Sequence, residues 1–203
     1  MSIYEKYFLP KLLNLVMKSP ELTELRRQWV PEDTGTVLEV GIGSGLNLPF
    51  YKAGVKVIGV DPSLELQQYA LEIAKESGLD VDFLAQGCED LPLGSDSVDS
   101  VVVTWTFCTI PQPERALVEI RRVLKPNGRL VFVEHGLAKD ESVARTQNRI
   151  NPLWRRVAGG CHLNRKPDQL LIDAGFKFES ITEGYVPGPK FATYNYRGIA
   201  KLA

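Results

Sequence analysis

Sulfur, histidine and net charge are all scarce in this chain. Its 203 residues include three cysteines, two histidines and two methionines. The odd set Cys88, Cys108 and Cys161 cannot close into a disulfide framework, and its spacings match no zinc signature. A reduced chain acting in the cytoplasm is the expectation. No clustered carboxylates accompany His135 and His162, so no metal-ligand constellation is legible and activity is expected to need no metal. A net charge of −1 removes any global electrostatic case for nucleic acid as a partner. No apolar run reaches the roughly 18 residues of a membrane span. The N-terminal stretch MSIYEKYFLPKLLNLVMKS lacks the long apolar segment and small-residue cleavage site of a secretory signal.

What is present describes a globular protein. The chain is 44% hydrophobic and 24% charged, a composition that buries a core rather than staying unfolded. Its length suits one α/β domain, with residues 1–30 as a helical lid, 36–135 as a ligand-binding core and 136–203 as a second pocket wall with closing strands. In the lid, Ile3, Tyr7, Phe8, Leu12, Leu15 and Val16 share one side of a helix interrupted by Pro10. Such a helix covers the domain; interfacial membrane contact is the alternative.

Strand and helix patterns then alternate. Val37–Val40, Val55–Val60, Val81–Ala85, Ser100–Trp105 and RLVFVE read as strands, and Leu64–Ser77 and Pro113–Leu124 as helices. KPNG reads as a turn. Alternation of this kind predicts βαβ units in a parallel sheet with helices on both faces. After His135 the chain is polar and rich in arginine, predicting one or two helices and a loop broken by glycine. PDQLLIDAGF resumes as a helix. FKFESITEGYV and TYNYRGIAKLA predict two closing strands joined by a PGP turn.

The segment VLEVGIGSGLN sets three glycines at alternate positions directly after the first strand. Glycine allows a sharp turn and lets a ligand touch the backbone, at the end of the sheet where such folds bind ligands. Asp61 ends the second strand, 16 positions past Gly45, and a carboxylate there accepts hydrogen bonds from ribose hydroxyls. The order G-x-G-x-G departs from the dinucleotide fingerprint G-x-G-x-x-G, and no Gly-Lys-Ser/Thr makes a P-loop.

With these pieces in order, the sequence resembles the class I S-adenosylmethionine-dependent methyltransferases. LEVGIGSGLN is similar to their first motif, VIGVDPS to their acidic second strand, GCEDLPLGSDSVDSVVV to their third and fourth motifs, and LVEIRRVLKPNGRLVFVEH to their helix, turn and fifth strand. The likeness runs from Thr36 to Glu134. It implies a Rossmann-like, seven-stranded, mostly parallel sheet of order 3-2-1-4-5-7-6. S-adenosyl-L-methionine is the implied cofactor. By position, Glu39, Gly41, Gly43, Gly45 and Asn47 would shape the pocket for its methionine part. Asp61 would hold the ribose, Pro62 and Ser63 would flank the adenine, and Gly87, Cys88 and Glu89 would line its edge. Many relatives carry aspartate where this chain has Gly87. Thr104 and Trp105 would face the sulfonium and the acceptor.

A narrower likeness appears in VVVTWTFCTI, VFVEHGLAKD, NPLWRRVAGGCHLNR and VPGPKFATYNYRGIAKLA. These resemble the methyltransferase-like 7 group, which methylates small alkyl thiols and hydrogen sulfide. The resemblance implies a small thiol or sulfide as acceptor, in a version without the membrane anchor of the animal members. His135, Trp105 and Arg165 are then the candidate catalytic residues. His135 is a base or orienting donor, or a satisfied histidine at a strand end. Trp105 offers cation–π attraction to a sulfonium, or simply a pocket wall. Arg165 pairs with a thiolate, or caps a helix. Cys108 and Cys161 read as small buried hydrophobes. A lipid or quinone-like acceptor is the alternative, as is a cofactor-binding subunit without turnover. The oligomeric state is not legible.

Overall fold

The computed structural model describes residues 9–30 and 35–203. Ile3, Tyr7 and Phe8 of the expected apolar stripe lie outside them. Seven strands form one sheet: β1 (Thr36–Val40), β2 (Lys56–Val60), β3 (Asp80–Leu84), β4 (Val98–Thr104), β5 (Leu124–His135), β6 (Phe176–Tyr185) and β7 (Tyr194–Leu202). Their order is β3-β2-β1-β4-β5-β7-β6. β7 runs antiparallel to both neighbours, whereas β1 to β5 pair in parallel. The sheet expected from the resemblance is the one observed.

The central strands β1, β2, β4 and β5 carry apolar runs because both of their faces are buried. Successive side chains alternate between faces, and the core divides accordingly. Leu38, Ile58, Val101, Val103, Leu130 and Phe132 pack on one face with Ala116, Leu117 and Ile120 of α4 (Pro113–Val123) and Leu171 of α6 (Pro167–Asp173). Val37, Val57, Val102 and Val131 point the other way, against Ala74 of α3 (Leu64–Ser77) and Leu48 and Tyr51 of the glycine-loop exit.

Helix ends follow local chemistry. Ser63 caps α3 by accepting the Leu66 N–H at 3.3 Å, and Gly78 ends it in the left-handed conformation. The polar stretch after β5 forms a single helix, α5 (Glu141–Val157), with Pro152 inside it. KPNG does not break β5. The irregularity is absorbed by a register shift opposite β4 between Val98 and Ser100, where Gly128 lets the backbone come close to Asp99 O. A short helix, α7 (Lys190–Thr193), lies between the closing strands where only a turn was expected.

Ahead of the sheet lie α1 (Leu9–Met17) and α2 (Pro20–Trp29). Pro10 lies within α1, and the residues ahead of it, where the expected interruption would show, lie outside those described. Leu12, Leu15 and Val16 are exposed on α1, whereas Leu25 and Arg26 anchor α2 in the interior. Among the described residues, no helix is long and apolar enough to cross a membrane.

Candidate active site

The glycine loop leaves β1 and folds over the end of β2, with the Gly41 N–H donating to Val60 O at 2.7 Å. Gly41, Gly43 and Gly45 have φ of +71°, +53° and +76°, a region that side chains disfavour. The three differ in what surrounds them. A Cβ on Gly41 would overlap Thr106, and one on Gly45 would lie 2.9 Å from Ala70 Cα. Beside Gly43 the nearest atoms would be 3.8 Å away, an ordinary van der Waals contact, so a Cβ there meets no overlap.

Beneath the loop, Glu39 is buried and fully engaged. Its carboxylate accepts from Asn47 Nδ2 at 3.0 Å and from the Tyr51 hydroxyl at 2.8 Å. Burial pushes its pKa up to about 7, against those two hydrogen bonds and the nearby Arg26. Asn47 Nδ2 also donates to Thr104 Oγ1 at 3.0 Å. Glu39, Asn47 and Thr104 therefore form one polar strip tying β1, the loop and β4. Asn47 Oδ1 is buried and has no donor, an arrangement that costs free energy unless a ligand supplies one.

Asp61 ties the loop to α3. One carboxylate oxygen accepts the Gly43 N–H at 3.0 Å and the other the Ser63 N–H at 2.8 Å. Desolvation raises its pKa, and the two N–H donors oppose that. Each oxygen keeps a lone pair for a ribose hydroxyl. The orphaned Asn47 acceptor and the spare lone pairs of Asp61, beside a glycine loop that brings backbone close, together fit an amino-acid nucleoside such as S-adenosylmethionine.

The third part of the predicted cofactor set is less direct. Pro62 is exposed, and the Ser63 hydroxyl is spent on the helix cap. Cys88 is packed in the core with its thiol pushed up to about 12, chiefly by burial. Glu89 folds back to accept the Gln112 N–H at 3.3 Å, over an exposed Gly87.

The chain turns sharply as it leaves β4. Trp105 adopts φ of +51°, a strained conformation for a bulky residue. Six hydrogen bonds hold it and its neighbours there. The Trp105 N–H donates to Val133 O at 2.7 Å, and its indole Nε1 donates to Asn195 Oδ1 at 2.9 Å. The Thr106 and Phe107 N–H groups both donate to Glu134 Oε1, at 2.6 and 3.1 Å. Arg165 donates to Phe107 O and to Ile110 O. The cation over the Trp105 ring is the Arg26 guanidinium, 4.8 Å from its centroid. Arg26 also donates to Met17 O at 2.8 Å. Desolvation lowers its pKa to about 10, partly offset by Glu39.

Behind this turn lies a cluster of sulfur and nitrogen. His135 Nε2 is 3.2 Å from Cys161 Sγ, and the indole Nε1 of Trp154 donates to the same sulfur at 3.4 Å. The ligand atoms of Cys108, His135 and Cys161 all lie within 4.8 Å of one another. A hydrogen bond from Cys108, supported by His135 and Trp154, pulls the Cys161 thiol well below its usual range. Cys108 is pushed up by the same pairing and by burial. Burial works to lower the His135 pKa, but Cys161 and Glu134 raise it on balance. The ground for expecting no metal, that no ligand set converges, does not hold in the fold.

Trp105, His135 and Arg165 are thus brought around one loop, but in unequal positions. Trp105 has its ring against Arg26, His135 is committed to Cys161, and Arg165 clamps loop carbonyls rather than standing free for a thiolate. The sequence offered no sign of Arg26 or Asn195. Cys108 and Cys161 were visible, but their meeting depends on folding residues 53 apart onto one spot.

Residues 38–132 match the methyltransferase domain family. The chain is 36% identical over 135 residues to the thiol S-methyltransferase TMT1B of Rattus norvegicus, covering 64% of this chain and 55% of that protein. It is 39% identical over 109 residues to a phosphatidylethanolamine N-methyltransferase of Cereibacter sphaeroides, covering 53% of each. The chain therefore spans a little over half the length of these relatives. Among solved structures, an S-adenosylmethionine-dependent methyltransferase from Aquifex aeolicus superposes with a TM-score of 0.66 at 21% identity, over 97% of this chain and 100% of that one. Residues 38–132 thus carry a methyltransferase domain, on the sheet order expected for the class I S-adenosylmethionine-dependent methyltransferases, and the chain is similar to the thiol S-methyltransferases.

Proposed function

We propose that this domain transfers a methyl group from S-adenosylmethionine to a small thiol or to sulfide. The observation that carries this reading is that the acids and bases around the β4 exit each already hold a partner, with Glu134 Oε2 and His135 Nδ1 left without a hydrogen bond. Glu39 holds Asn47 and Tyr51, Asp61 holds two backbone N–H groups, Glu134 holds the turn, and His135 faces Cys161. A hydroxyl acceptor needs a strong base. A thiol with an ordinary pKa near 8.5 is partly thiolate near neutral pH and needs little help. The likeness to a thiol S-methyltransferase supports the same choice.

When bound, S-adenosylmethionine supplies an electrophilic methyl on a sulfonium that departs as a neutral thioether. The chain's part is placement. In this reading Asn47 Oδ1 accepts from the amino group of the methionine part, the Gly41–Gly45 backbone leaves room for its chain, and Asp61 accepts from ribose hydroxyls. Thr104 and Trp105 border the reacting end, and Glu134 and Arg165 hold the turn that presents them. His135 and Cys161 form the polar wall nearest the incoming sulfur. The helices α1 and α2 act as a lid, because Arg26 closes over Trp105. Three free cysteines suit a reducing compartment such as the cytoplasm.

A second reading is favoured by two observations: the exposed apolar residues of α1 and the relative named for a lipid amine. It would make the acceptor a lipid headgroup or quinone-like ring, met at a membrane surface. One panel separates the two. Sulfide, methanethiol and a larger alkyl thiol are assayed beside phosphatidylethanolamine vesicles and a quinol, with methylated product read by mass spectrometry. Product from the thiols alone is expected. Product only from lipid or quinol overturns the thiol assignment, and slow cofactor consumption in every arm points to a binding subunit.

A further inference from the structure

Cys108, His135 and Cys161 come from three separate places. Cys108 lies in the loop after β4, His135 ends β5, and Cys161 follows α5. Their donor atoms nevertheless lie within 4.8 Å of one another. Tetrahedral coordination of zinc by two sulfurs and an imidazole nitrogen places the sulfurs about 3.8 Å apart and sulfur and nitrogen about 3.6 Å apart. The 3.2 Å between His135 Nε2 and Cys161 Sγ and the 4.8 Å bound on the set bracket those values, so small side-chain adjustments suffice. We propose that Cys108, His135 and Cys161 form a binding site for a thiophilic divalent cation, zinc above all, with three protein donors and a fourth position left open.

The backbone holds the donors ready. The His162 N–H donates to Cys108 O at 2.8 Å, which locks the segment carrying Cys161 against the one carrying Cys108. Gly159 and Gly160 have φ of +60° and +83°, and this left-handed pair folds the chain back from α5 to bring Cys161 inward. His135 is fixed by the β5–β7 pairing opposite Asn195. The surroundings suit thiolates as ligands. Trp154 Nε1 donates to Cys161 Sγ at 3.4 Å, the kind of outer-shell contact that orients and tunes a ligating sulfur. Two thiolates and a neutral imidazole would balance a dication, which keeps a buried site neutral.

Cys161 is the least buried of the three donors. Three protein ligands with one exchangeable position is the pattern of catalytic rather than structural zinc. The inference stands on donor geometry and does not require that the acceptor be a thiol.

Cobalt(II) reports such a site directly, because thiolate ligation gives a charge-transfer band in the near ultraviolet and tetrahedral geometry an intense visible band. The full chain, reduced and freed of metal, is titrated with cobalt(II), and zinc is then used to displace it. One equivalent with both bands, displaced by zinc, is expected. Cys161→Ser and His135→Gln should each weaken zinc binding by more than the roughly 10–100-fold that loss of a supporting residue costs. Cys88→Ala, which removes the cysteine outside the cluster, should leave binding unchanged. Circular dichroism checks that each variant is folded. The proposal is overturned if the folded parent binds no cobalt or zinc, or if Cys161→Ser binds as the parent does. It is equally overturned if Cys108 and Cys161 remain joined as a disulfide under thiol reductant.

Discussion

At the scale of single residues, the glycines of the binding loop make separable demands. Gly41 and Gly45 are required by packing, since Thr106 and Ala70 occupy the space a Cβ would need. Gly43→Ala, in contrast, meets only ordinary contacts and is penalised through its φ of +53°, at about 1–2 kcal/mol. Gly43→Ala should therefore fold with a modestly lower melting temperature and weakened cofactor binding, whereas Gly41→Ala should lose most of its stability. Thermal unfolding with and without S-adenosylmethionine checks both halves. Equal stability of the two variants would remove the distinction. Asp61→Ala should weaken cofactor binding by about 1–3 kcal/mol, measured by calorimetry. Because Asp61 also holds the Gly43 and Ser63 N–H groups, the same variant should lose some stability without ligand. Unchanged affinity would sink the ribose assignment. Both positions stand out in the sequence, because a glycine after a strand and an acid at the next strand end are local signals. It could not reveal that Ser63 is spent on a helix cap or that Cys88 is a core residue.

At the scale of elements, β1 carries an ionisable group into the core. Glu39 has a folded-state pKa raised to about 7, mainly by burial, above the ordinary carboxylate value. The folded state then binds more protons than the unfolded one between those values, so stability falls as pH rises through that window. Chemical unfolding from about pH 5 to pH 8 should show this decline, and Glu39→Gln should flatten it. A decline of the same slope in the variant would place the effect elsewhere. The N-terminal helices make a second case. α2 is joined to the site by Arg26, through its stack on Trp105 and its bond to Met17 O. Arg26→Met should increase hydrogen exchange across residues 9–29 while leaving the sheet protected. No change there would mean that the helices are held by other contacts. Strand and helix patterns were legible wherever burial imposed a period. Where it did not, as in the polar α5, the sequence left one helix or two open. KPNG carries turn chemistry, but its place beside β4 turns it into a strand irregularity.

At the scale of the whole molecule, the sheet order followed from a set of motifs in sequence, and the fold places the glycine loop, Asp61 and the turn at Trp105 at one end of the strands. What the sequence hid is the convergence of distant residues. Cys108, His135 and Cys161, like Arg26 and Trp105, meet only because β4, β5 and the flanking helices end on the same side. The central claim is methyl transfer to a thiolate, and one measurement addresses it most directly. Methyl-labelled S-adenosylmethionine is incubated with methanethiol across a pH series, and labelled dimethyl sulfide is followed by headspace mass spectrometry at low substrate. Labelled product is expected, with a rate that rises with pH as the thiolate fraction rises and levels off above the thiol's effective pKa. Absence of labelled product at every pH, with the cofactor bound and the protein folded, would contradict the account.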